Sequence, residues 1–567
     1  MTVSEFIFDF LREKGTDTVF MVSGSSAMWL TDALCRNKEM SAICNHHEQA
    51  AVMSADIRAR LTGTLGAALV TVGPGATNAI TGVAQAYTDS SAVIVVSGQA
   101  NSKLLQYEED TNIRQHGTQS INLKPVVSSI TKYFAAVMDP ADIRYHMERA
   151  YYEAMTGRKG PVWIDVPVDI QNKQIPEDMR GFTPPPEDYD AIDLQEISKQ
   201  LAKSKKPLIL AGGGANQEDV VALSHQLHIP VVTSRMGIGC ICTDDPYYVG
   251  RPGSNGQRAA HFAIQQADLL LILGCRLSVS TIGYYPDRFA GNAYKIQVDV
   301  DKKELNKRDV PVDLHIHSTV SAFVAALRDI TALDSDEWVT HCTSMRDKYP
   351  VVLPEYRQSN PLNSYYFTEL LSDEVREGTT ITVDTGSVCN VASQTWKIKK
   401  GQRYFISGGL SCMGFWAGSI GCVDTPVVAL SGDGSVSMNI QEFATIKYNR
   451  LPIKLFVYQN DGYMLIRHNQ HNYMNDRFLG VGPDSGLKTP DFCRVAAAYD
   501  IPSVRITAED DIPAKIRQVL ETDGPVVCEV ILEQFGPMAP RIASRVMPDG
   551  SLKAAEYDDM APFLDEK

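Results

Sequence analysis

The chain has 567 residues, of which 44% are hydrophobic and 21% are charged. At roughly 100 to 200 residues per domain, this length predicts about three or four domains and excludes a small binding module. The 53 Lys and Arg residues against 68 Asp and Glu residues give a net charge of -15. That charge opposes the attraction to phosphate on which nucleic-acid affinity depends, so we expect no nucleic-acid partner. No run approaches the ~18 apolar residues of a membrane span, so we expect no membrane partner either.

The N-terminal segment and the cysteines indicate a cellular compartment. The sequence MTVSEFIFDFLREKG has acids at Glu5 and Asp9 and is typical of an amphipathic helix rather than a signal peptide. The 11 cysteines are scattered singly, and the closest pair, Cys240 and Cys242, lacks the CxxC spacing. Buried free thiols in a reducing compartment are therefore favoured over zinc or a disulfide framework. We expect a cytoplasmic protein.

Short apolar runs alternate with helical patterns along the whole chain. The runs that predict strands are 65–72, 92–97, 207–211, 269–274, 295–300, 380–384, 427–432, 454–459 and 525–531. Alternation of this kind is typical of parallel sheets covered by helices on both faces. We therefore predict an α/β protein with three doubly wound parallel-sheet domains.

Two segments break the alternation and predict the domain boundaries. Residues 171–193 and 348–363 are rich in proline and polar residues, as inter-domain linkers are. The predicted domains are 1–175, 190–335 and 360–535, followed by a tail at 536–567. The first and third domains share a layout in which glycine-rich turns follow strands, and such turns are where ligands usually bind.

The strongest motif lies in the third domain. One predicted strand ends in Gly432-Asp433-Gly434-Ser435, and the next ends in Asn460-Asp461-Gly462. Parallel strands of one βαβ unit end at the same sheet edge, so Asp433 and Asn460 can converge although they are 27 positions apart. Oxygen ligands of this kind suit Mg²⁺ with phosphates, and glycines let backbone N–H groups approach a phosphate. A tight turn with Asp433 as a helix cap explains the first motif alone, but not the pair.

The paired motifs resemble those of the thiamine-diphosphate enzymes, in which GDG is followed by a downstream Asn. The resemblance implies thiamine diphosphate and Mg²⁺ as cofactors. The implied metal ligands are Asp433, Asn460 and the backbone carbonyl of Gly462. The implied diphosphate-binding residues are Gly434 and Ser435, with Gly432 in the same turn.

The segment SAICNHHEQAAVMSADIRARLTG places Glu48 between a strand-like run and a helix. A glutamate in the first turn of a helix is favoured by the helix dipole alone. The resemblance instead implies that Glu48 hydrogen-bonds a ring nitrogen of the cofactor's aminopyrimidine and so promotes loss of the thiazolium proton. We predict Glu48 as the catalytic residue, and His46 and His47 as structural.

The pieces GPGxTN, AYxD and SGQ resemble the acetolactate-synthase branch of that family. Gly73-Pro74-Gly75 ends a strand, and we expect Asn78 to open a helix; Gly75 and Asn78 are predicted to bind cofactor. The resemblance implies that this domain contributes Glu48 to a cofactor held by the third domain of a partner chain. A homodimer with active sites at the subunit interface is then the smallest active unit, and a tetramer is the alternative.

Two further segments of the third domain extend the resemblance. In FISGGLSCMGFWAGSIG, it implies that the Ser411 carbonyl accepts the cofactor's exocyclic amine and that Met413 wedges between its two rings. A methionine in the core is the alternative for Met413. In VDTGSVCN, Ser387 is predicted to contact phosphate, whereas the Val388 side chain cannot.

The resemblance covers nearly the whole chain and implies a carboligase. Such an enzyme decarboxylates a 2-oxo acid, with pyruvate as the default donor, and transfers the acyl group to a second carbonyl compound. Gln119 is a predicted catalytic and pocket residue, although the segment 117–120 lacks the aromatic side chain of relatives. Asn469 stands where biosynthetic relatives have Trp, near Leu465, and both are predicted to line the pocket. A wider and more polar pocket favours a larger acceptor such as a sugar-like ketone.

Other interpretations remain open. The second is a lyase or simple decarboxylase acting on a 2-oxo acid or an acyl-CoA, which ADP bound in the central domain would favour. The third is a non-catalytic nucleotide-binding or structural homologue, against which Glu48, Asp433 and Asn460 argue. The turn 212–214 is glycine-rich, but residues 274–278 depart from the motif of relatives that bind FAD, so FAD is an alternative and not the expectation. Arg541 and Arg545 of the tail are either an anion clamp or solvated surface charges.

Overall fold

The computed structural model describes residues 1–546 and 552–564. Three six-stranded parallel sheets follow one another along the chain, and the predicted α/β class is confirmed. Each of the nine predicted apolar runs overlaps an observed strand, with ends that differ by two residues or fewer. No helix within the described ranges is both long and apolar enough to cross a membrane.

The first sheet has the strand order β2-β1-β3-β4-β6-β5. Its strands are β1 (Thr18–Met21), β2 (Ser41–Cys44), β3 (Gly66–Val70), β4 (Val93–Gln99), β5 (Tyr133–Ala136) and β6 (Val162–Pro167). Its helices are α1 (Val3–Glu13), α2 (Met28–Arg36), α3 (Glu48–Thr62), α4 (Pro74–Asn78), α5 (Ile80–Thr88), α6 (Ser102–Thr111), α7 (Lys124–Val127), α8 (Ile143–Met155) and α9 (Val168–Gln171). Helix α1 begins with a capping box in which Thr2 and Glu5 satisfy each other's backbone N–H groups.

The second sheet has the order β12-β11-β10-β7-β8-β9. Its strands are β7 (Pro207–Ala211), β8 (Val231–Thr233), β9 (Tyr248–Gly250), β10 (Leu269–Leu273), β11 (Tyr294–Asp299) and β12 (Leu314–His317). Its helices are α10 (Leu194–Lys203), α11 (Gln217–Leu227), α12 (Arg258–Gln266), α13 (Val279–Ile282), α14 (Lys302–Leu305), α15 (Val320–Ala326) and α16 (Asp336–Lys348). Strand β10 is LLLIL and buried throughout, as expected for a central parallel strand covered on both faces.

The third sheet has the order β14-β13-β15-β16-β18-β17, which is the order of the first sheet repeated. Its strands are β13 (Thr380–Val383), β14 (Arg403–Ile406), β15 (Val427–Gly432), β16 (Ile453–Gln459), β17 (Ser503–Ile506) and β18 (Val526–Ile531). Its helices are α17 (Ser364–Glu374), α18 (Ser387–Thr395), α19 (Asp433–Met438), α20 (Glu442–Tyr448), α21 (Met464–Met474), α22 (Phe492–Ala498) and α23 (Ile512–Glu521). Short tail strands follow as β19 (Arg541–Ile542), β20 (Ser544–Val546), β21 (Leu552–Ala554) and β22 (Met560–Ala561).

The first and third sheets share one apolar core. Helix α3 of the first packs against the 3₁₀ helix Phe415–Gly421 of the third, and Ser54 Oγ donates to the Ala417 carbonyl at 3.2 Å. A Cβ on Gly421 would overlap the Ser54 carbonyl, so only glycine allows this approach. The two domains therefore form one packed unit around the elements that carry the predicted site.

Candidate functional site

Asp433 is the centre of the predicted metal site. It begins α19 directly after β15, and it is 1% exposed. Its carboxylate accepts hydrogen bonds from the N–H groups of Gly434 and Gly462, both at 2.8 Å, and from Thr489 Oγ1 at 3.2 Å. Burial raises the pKa of Asp433 to about 6. The predicted convergence of the two strand ends is thus present, because Gly462 belongs to the loop after β16.

Asn460 supplies the second predicted ligand. The residue is 5% exposed, and its Oδ1 atom is buried without a hydrogen-bond partner in the described structure. An unpaired buried amide oxygen is unfavourable unless something outside the chain satisfies it. Gly462 has φ of 127°, and a Cβ there would overlap the Val481 carbonyl. A carboxylate, a free amide oxygen and a backbone carbonyl form a donor set that fits Mg²⁺.

The two glycines around Asp433, where β15 ends and α19 begins, differ in the space beside them. A Cβ on Gly434 would overlap the Tyr463 ring, whereas a Cβ on Gly432 would meet open space. Ser435 is 4% exposed in the first turn of α19. Ser387 is half-buried and begins α18 after Gly386, whose φ is 92°. These positions agree with the predicted phosphate-binding turn, and their roles stay predictions.

Glu48 lies in the first domain and forms a second small cluster with Gly75 and Asn78. It is the first residue of α3 and is 8% exposed. Asn78 Nδ2 donates to Glu48 Oε2 at 3.0 Å, and a Cβ on Gly75 would lie 3.3 Å from Glu48 Oε1. Glu48, Gly75 and Asn78 are therefore neighbours. The expectation that Asn78 opens a helix is wrong, because Asn78 ends α4 and α5 begins at Ile80.

The histidines beside Glu48 have structural partners. His47 is the N-cap of α3, and its Nδ1 accepts from the Gln49 N–H at 3.1 Å. His46 Nδ1 lies 3.0 Å from Thr445 Oγ1 of the third domain. Both contacts agree with the structural interpretation.

Gln119 contacts the glycine-proline turn through its backbone. A Cβ on Gly73 would lie 2.6 Å from the Gln119 carbonyl, so Gly73, with φ of 62°, is required for this contact. Gln119 itself has φ of 63° and is exposed in the single chain. The Glu108 carboxylate fixes the surrounding loop by accepting from Gly117 N–H at 2.7 Å and Ser120 Oγ at 2.5 Å.

The remaining predicted residues belong to the third domain and are exposed or half-buried. Ser411 is exposed with φ of 56°, and Met413 is half-buried. Leu465 is half-buried and Asn469 is exposed, and they lie one turn apart on α21. No hydrogen bond joins Glu48 to Asp433, Asn460 or Gly462 within residues 1–546 and 552–564.

Sequence reasoning missed three buried polar residues around Asp433 and the loop 460–462. Asp384 follows β13, is 0% exposed, and accepts from Ser431 Oγ at 2.9 Å and Trp416 N–H at 3.1 Å. Burial raises the pKa of Asp384 to about 6. Its position at the end of an apolar run was a signal that could have found it. Thr489, which binds Asp433, left no such signal.

Arg467 is the third missed residue, and its side chain binds the backbone of the loop 460–462. It is 5% exposed and donates to the carbonyls of Asn460 at 3.2 Å and Asp461 at 2.7 Å. It also donates to the carbonyls of Val481 at 2.9 Å and Gln534 at 2.7 Å. One guanidinium therefore joins three separate segments beside Asp433.

The glycine turns of the central domain pack against each other. Gly212 N–H donates to the Leu273 carbonyl and Gly214 N–H to the Gly274 carbonyl, both at 2.9 Å. A Cβ on Gly212 would overlap the Gly274 carbonyl. The glycines here are explained by this close approach of two loops.

The tail arginine Arg545 has a carboxylate partner. Its guanidinium donates to both oxygens of Asp559, at 2.6 and 2.8 Å. This pairing favours the surface-charge interpretation of Arg545 over the anion clamp. Arg541 lies in β19, which pairs with β22.

Sequence comparisons match three successive segments of the chain, one in each of the three sheet domains. Profiles described as thiamine pyrophosphate enzyme N-terminal binding domain, central domain and C-terminal binding domain match residues 1–126, 194–327 and 384–530. A probable acetolactate synthase large subunit of Methanocaldococcus jannaschii is 30% identical over 100% of this chain and 99% of its own length. The acetolactate synthase isozyme 2 large subunit of Escherichia coli K12 is 30% identical, over 96% and 98%. A chloroplastic acetolactate synthase 2 of Nicotiana tabacum is 30% identical, over 95% and 83%.

Proposed function

We propose that this chain, which belongs to the thiamine pyrophosphate enzyme family, is a Mg²⁺-dependent carboligase. It decarboxylates a 2-oxo acid and transfers the acyl group to a second carbonyl compound, in line with the names of its relatives. The observation that carries the proposal is Asn460 Oδ1, which is buried and has no hydrogen-bond partner in the described part of the chain. It lies two residues before Gly462, whose N–H binds the Asp433 carboxylate. A merely structural turn gives no reason to leave that oxygen unpaired.

The residues at the end of β15 and β16 would hold the metal and the diphosphate. Asp433, Asn460 and the Gly462 carbonyl would bind Mg²⁺, and Gly434 and Ser435 would bind phosphate oxygens. Thiamine diphosphate, when bound, supplies the carbon nucleophile that carries the acyl group. The Asp433 carboxylate is already oriented by two backbone N–H groups, so metal binding requires little reorganisation of the chain.

Glu48 would hold the proton that activates the cofactor. Asn78 donates to Oε2, which fixes the carboxylate and leaves Oε1 on the side of Gly75. A Cβ on Gly75 would lie 2.7 Å from Thr71 Cγ2, so only glycine fits between Thr71 and Glu48. Glu48 is almost fully buried, and a proton shared with a ring nitrogen is more tightly held where water is excluded.

The donor proposed is pyruvate, and the acceptor is a carbonyl compound larger than a small 2-oxo acid. Gln119, Leu465 and Asn469 would line this pocket. An amide at position 469 fills much less volume than an indole and offers a hydrogen bond to a hydroxylated acceptor. Hydrogen bonds between the two central glycine turns explain these glycines without bound ADP, so the turns do not favour the lyase or decarboxylase alternative.

We further propose a cytoplasmic homodimer with active sites at the subunit interface. Among the described residues of one chain, the Glu48 cluster and the Asp433 cluster share no hydrogen bond, and Ser411, Asn78 and Gln119 are exposed. A second copy would cover these residues and complete each site. The 11 cysteines are all free, and seven of them are buried, which agrees with a reducing compartment.

Product analysis tests the proposal. The protein loaded with Mg²⁺ and thiamine diphosphate is incubated with pyruvate, alone and with aldehydes, 2-oxo acids and hydroxylated ketones, and the products are identified by mass spectrometry. Acyl transfer to one of the acceptors is the expected result. Release of carbon dioxide with acetaldehyde as the only product would favour the decarboxylase instead.

A further inference from the structure

Glu442 of the third domain is a buried carboxylate that binds the segment leading to Glu48. It begins α20 and is 0% exposed. It accepts from the His46 N–H at 2.9 Å and from Asn45 Nδ2 at 3.1 Å. Thr445 Oγ1, one turn later on the same helix, donates to Glu442 at 2.7 Å and fixes its orientation. The third domain therefore holds the main chain two residues before Glu48.

Asp89 of the first domain makes the converse contact. Its side chain is 0% exposed, and its two oxygens accept from the N–H groups of Gly408 at 3.0 Å and Gly409 at 2.6 Å. Arg60 donates to the same carboxylate at 3.0 Å. The first domain therefore holds the main chain two residues before Ser411.

The glycine pair is also enclosed from the other sides. A Cβ on Gly408 would overlap the Met236 sulfur of the central domain, and a Cβ on Gly409 would lie 2.7 Å from the Thr88 Cβ. The segment that leads to Ser411 is thus held between all three domains. Its position depends on the first domain as much as on the third.

We infer that Glu442 and Asp89 are reciprocal positioning residues, each fixing from one domain the backbone that presents a cofactor-contacting residue of the other. Glu442 sets the position of Glu48, and Asp89 sets that of Ser411. The inference deepens the proposed function and rests on it for the roles of Glu48 and Ser411. The two contacts themselves are properties of the chain without cofactor.

A purely stabilising role explains Glu442 poorly. Its partners in the described structure are an N–H group, an amide and a hydroxyl, with no Lys or Arg paired to it. Burying a carboxylate without a cation is unfavourable, and burial accordingly raises the pKa of Glu442. Well-packed apolar residues would serve stability as well or better. The directional hydrogen bonds to residues 45 and 46 are what only this side chain supplies.

Hydrogen exchange of the cofactor-free chain tests the contacts. Glu442→Gln replaces one acceptor oxygen by an NH₂ group, so amides in the peptide 44–50 should exchange about tenfold faster, as losing ~1.4 kcal/mol of hydrogen bonding predicts. Asp89→Asn should do the same for 408–413. Each variant should leave the other peptide within about twofold. Asp268→Asn is the matched control, since Asp268 binds the N–H groups of Lys205 and Lys206 in the central domain.

Cofactor chemistry tests the consequence. In Glu442→Gln with Mg²⁺ and thiamine diphosphate, exchange of the thiazolium proton for deuterium should fall about tenfold or more, while cofactor affinity by calorimetry changes less than threefold. Asp89→Asn should instead weaken cofactor affinity. Thr445→Val removes the hydroxyl that orients Glu442 and that also lies 3.0 Å from His46 Nδ1. It should shift exchange in the same direction by a smaller factor, and it serves if Glu442→Gln does not fold.

The outcomes distinguish whether the two backbone contacts exist from whether they affect the cofactor. Unchanged amide exchange in both peptides, or equal acceleration of both by each variant, overturns the clamps. Local amide acceleration with wild-type thiazolium exchange and affinity overturns the positioning roles. A wild-type chain that binds no thiamine diphosphate refutes the proposed function, and the amide exchange still decides whether the clamps exist.

Discussion

The first and third sheets have the same strand order but carry different chemistry at their edges. In the third sheet β15 and β16 are followed directly by Asp433 and Asn460, whose oxygens suit a cation. In the first sheet the equivalent strands β3 and β4 lead to the turn 73–75 and to Gln99. The residue of the first domain that we propose for the cofactor is instead Glu48, which lies after the edge strand β2.

This difference shows that strand order determines where a site lies but not which side chains are found there. Both sheets bring loops to one edge, as doubly wound sheets do. One edge carries oxygen ligands held by backbone N–H groups, and the other carries a single carboxylate held by Asn78. One strand order thus carries two proposed half-sites of different chemistry, and substitution of Asp433 or of Glu48 itself should leave the other half intact.

The largest expected effect is that of Asp433→Ala, which removes the third-sheet half. It leaves Mg²⁺ and the diphosphate without a carboxylate ligand and the Gly462 N–H without its acceptor. We expect no measurable binding of thiamine diphosphate by calorimetry at limiting magnesium. Asp461→Asn is the control, since that side chain binds Gln534 and should keep affinity within a few-fold. Wild-type affinity in Asp433→Ala would place the metal elsewhere.

Glu48→Gln removes the first-sheet half and should separate activation from binding. The amide is nearly isosteric with the carboxylate but cannot hold the activating proton. Exchange of the thiazolium proton should fall by ~10² to 10⁴, the usual worth of acid–base assistance. Affinity for Mg²⁺ and diphosphate should change little. Wild-type exchange would mean that another carboxylate activates the cofactor.

Much of the architecture could be predicted, because central parallel strands are covered on both faces and read as continuous apolar runs. The nine predicted runs include none of the six edge strands of the three six-stranded sheets. Strand β17, for example, has one buried residue in four and shows no such run, although the segment before Glu48, which contains β2, was predicted to be strand-like. The glycine motifs predicted a site at Asp433 and Asn460, whereas Glu48 was predicted from the family resemblance, and the roles of all three stay predictions. Thr489 and Glu442 could not be found this way, since their roles depend on which distant segments the fold brings into contact.

A buried carboxylate at matching positions of the two sheets gives a third test. Asp165 is the fourth residue of β6 and Glu529 the fourth of β18, and they are 2% and 1% exposed. Glu529 pairs with Arg505, whereas the Asp165 carboxylate has only Ser97 and Gln99 as partners among the residues that the structure describes. Burial raises the pKa of Asp165 to about 7.

The raised pKa predicts the sign of a pH effect. Between pH ~4 and ~7 the folded state binds a proton at Asp165 that the unfolded state has lost, so this group's contribution to the free energy of unfolding falls as pH rises through that window. Asp165→Asn removes the dependence, so the variant should gain stability relative to wild type from pH 5 to pH 8, by a few kcal/mol at most. Thermal melting at both pH values measures it. A constant difference would show that Asp165 is ionised in the folded state throughout, and Glu529→Gln, which breaks the pair with Arg505, should destabilise at both.

The smallest expected effect concerns the pocket on the third-sheet side. Asn469→Trp places an indole on the exposed face of α21 that carries Leu465, so it should favour small 2-oxo acid acceptors over bulky ones by about tenfold. His471→Trp is the control, because two residues further along the helix the same indole points to the opposite side. Competition between a small and a bulky acceptor, with the product ratio measured by mass spectrometry, decides the matter. An unchanged ratio in Asn469→Trp, or an equal change in His471→Trp, would place Asn469 outside the pocket and leave acceptor choice to residues of the first-sheet half such as Gln119.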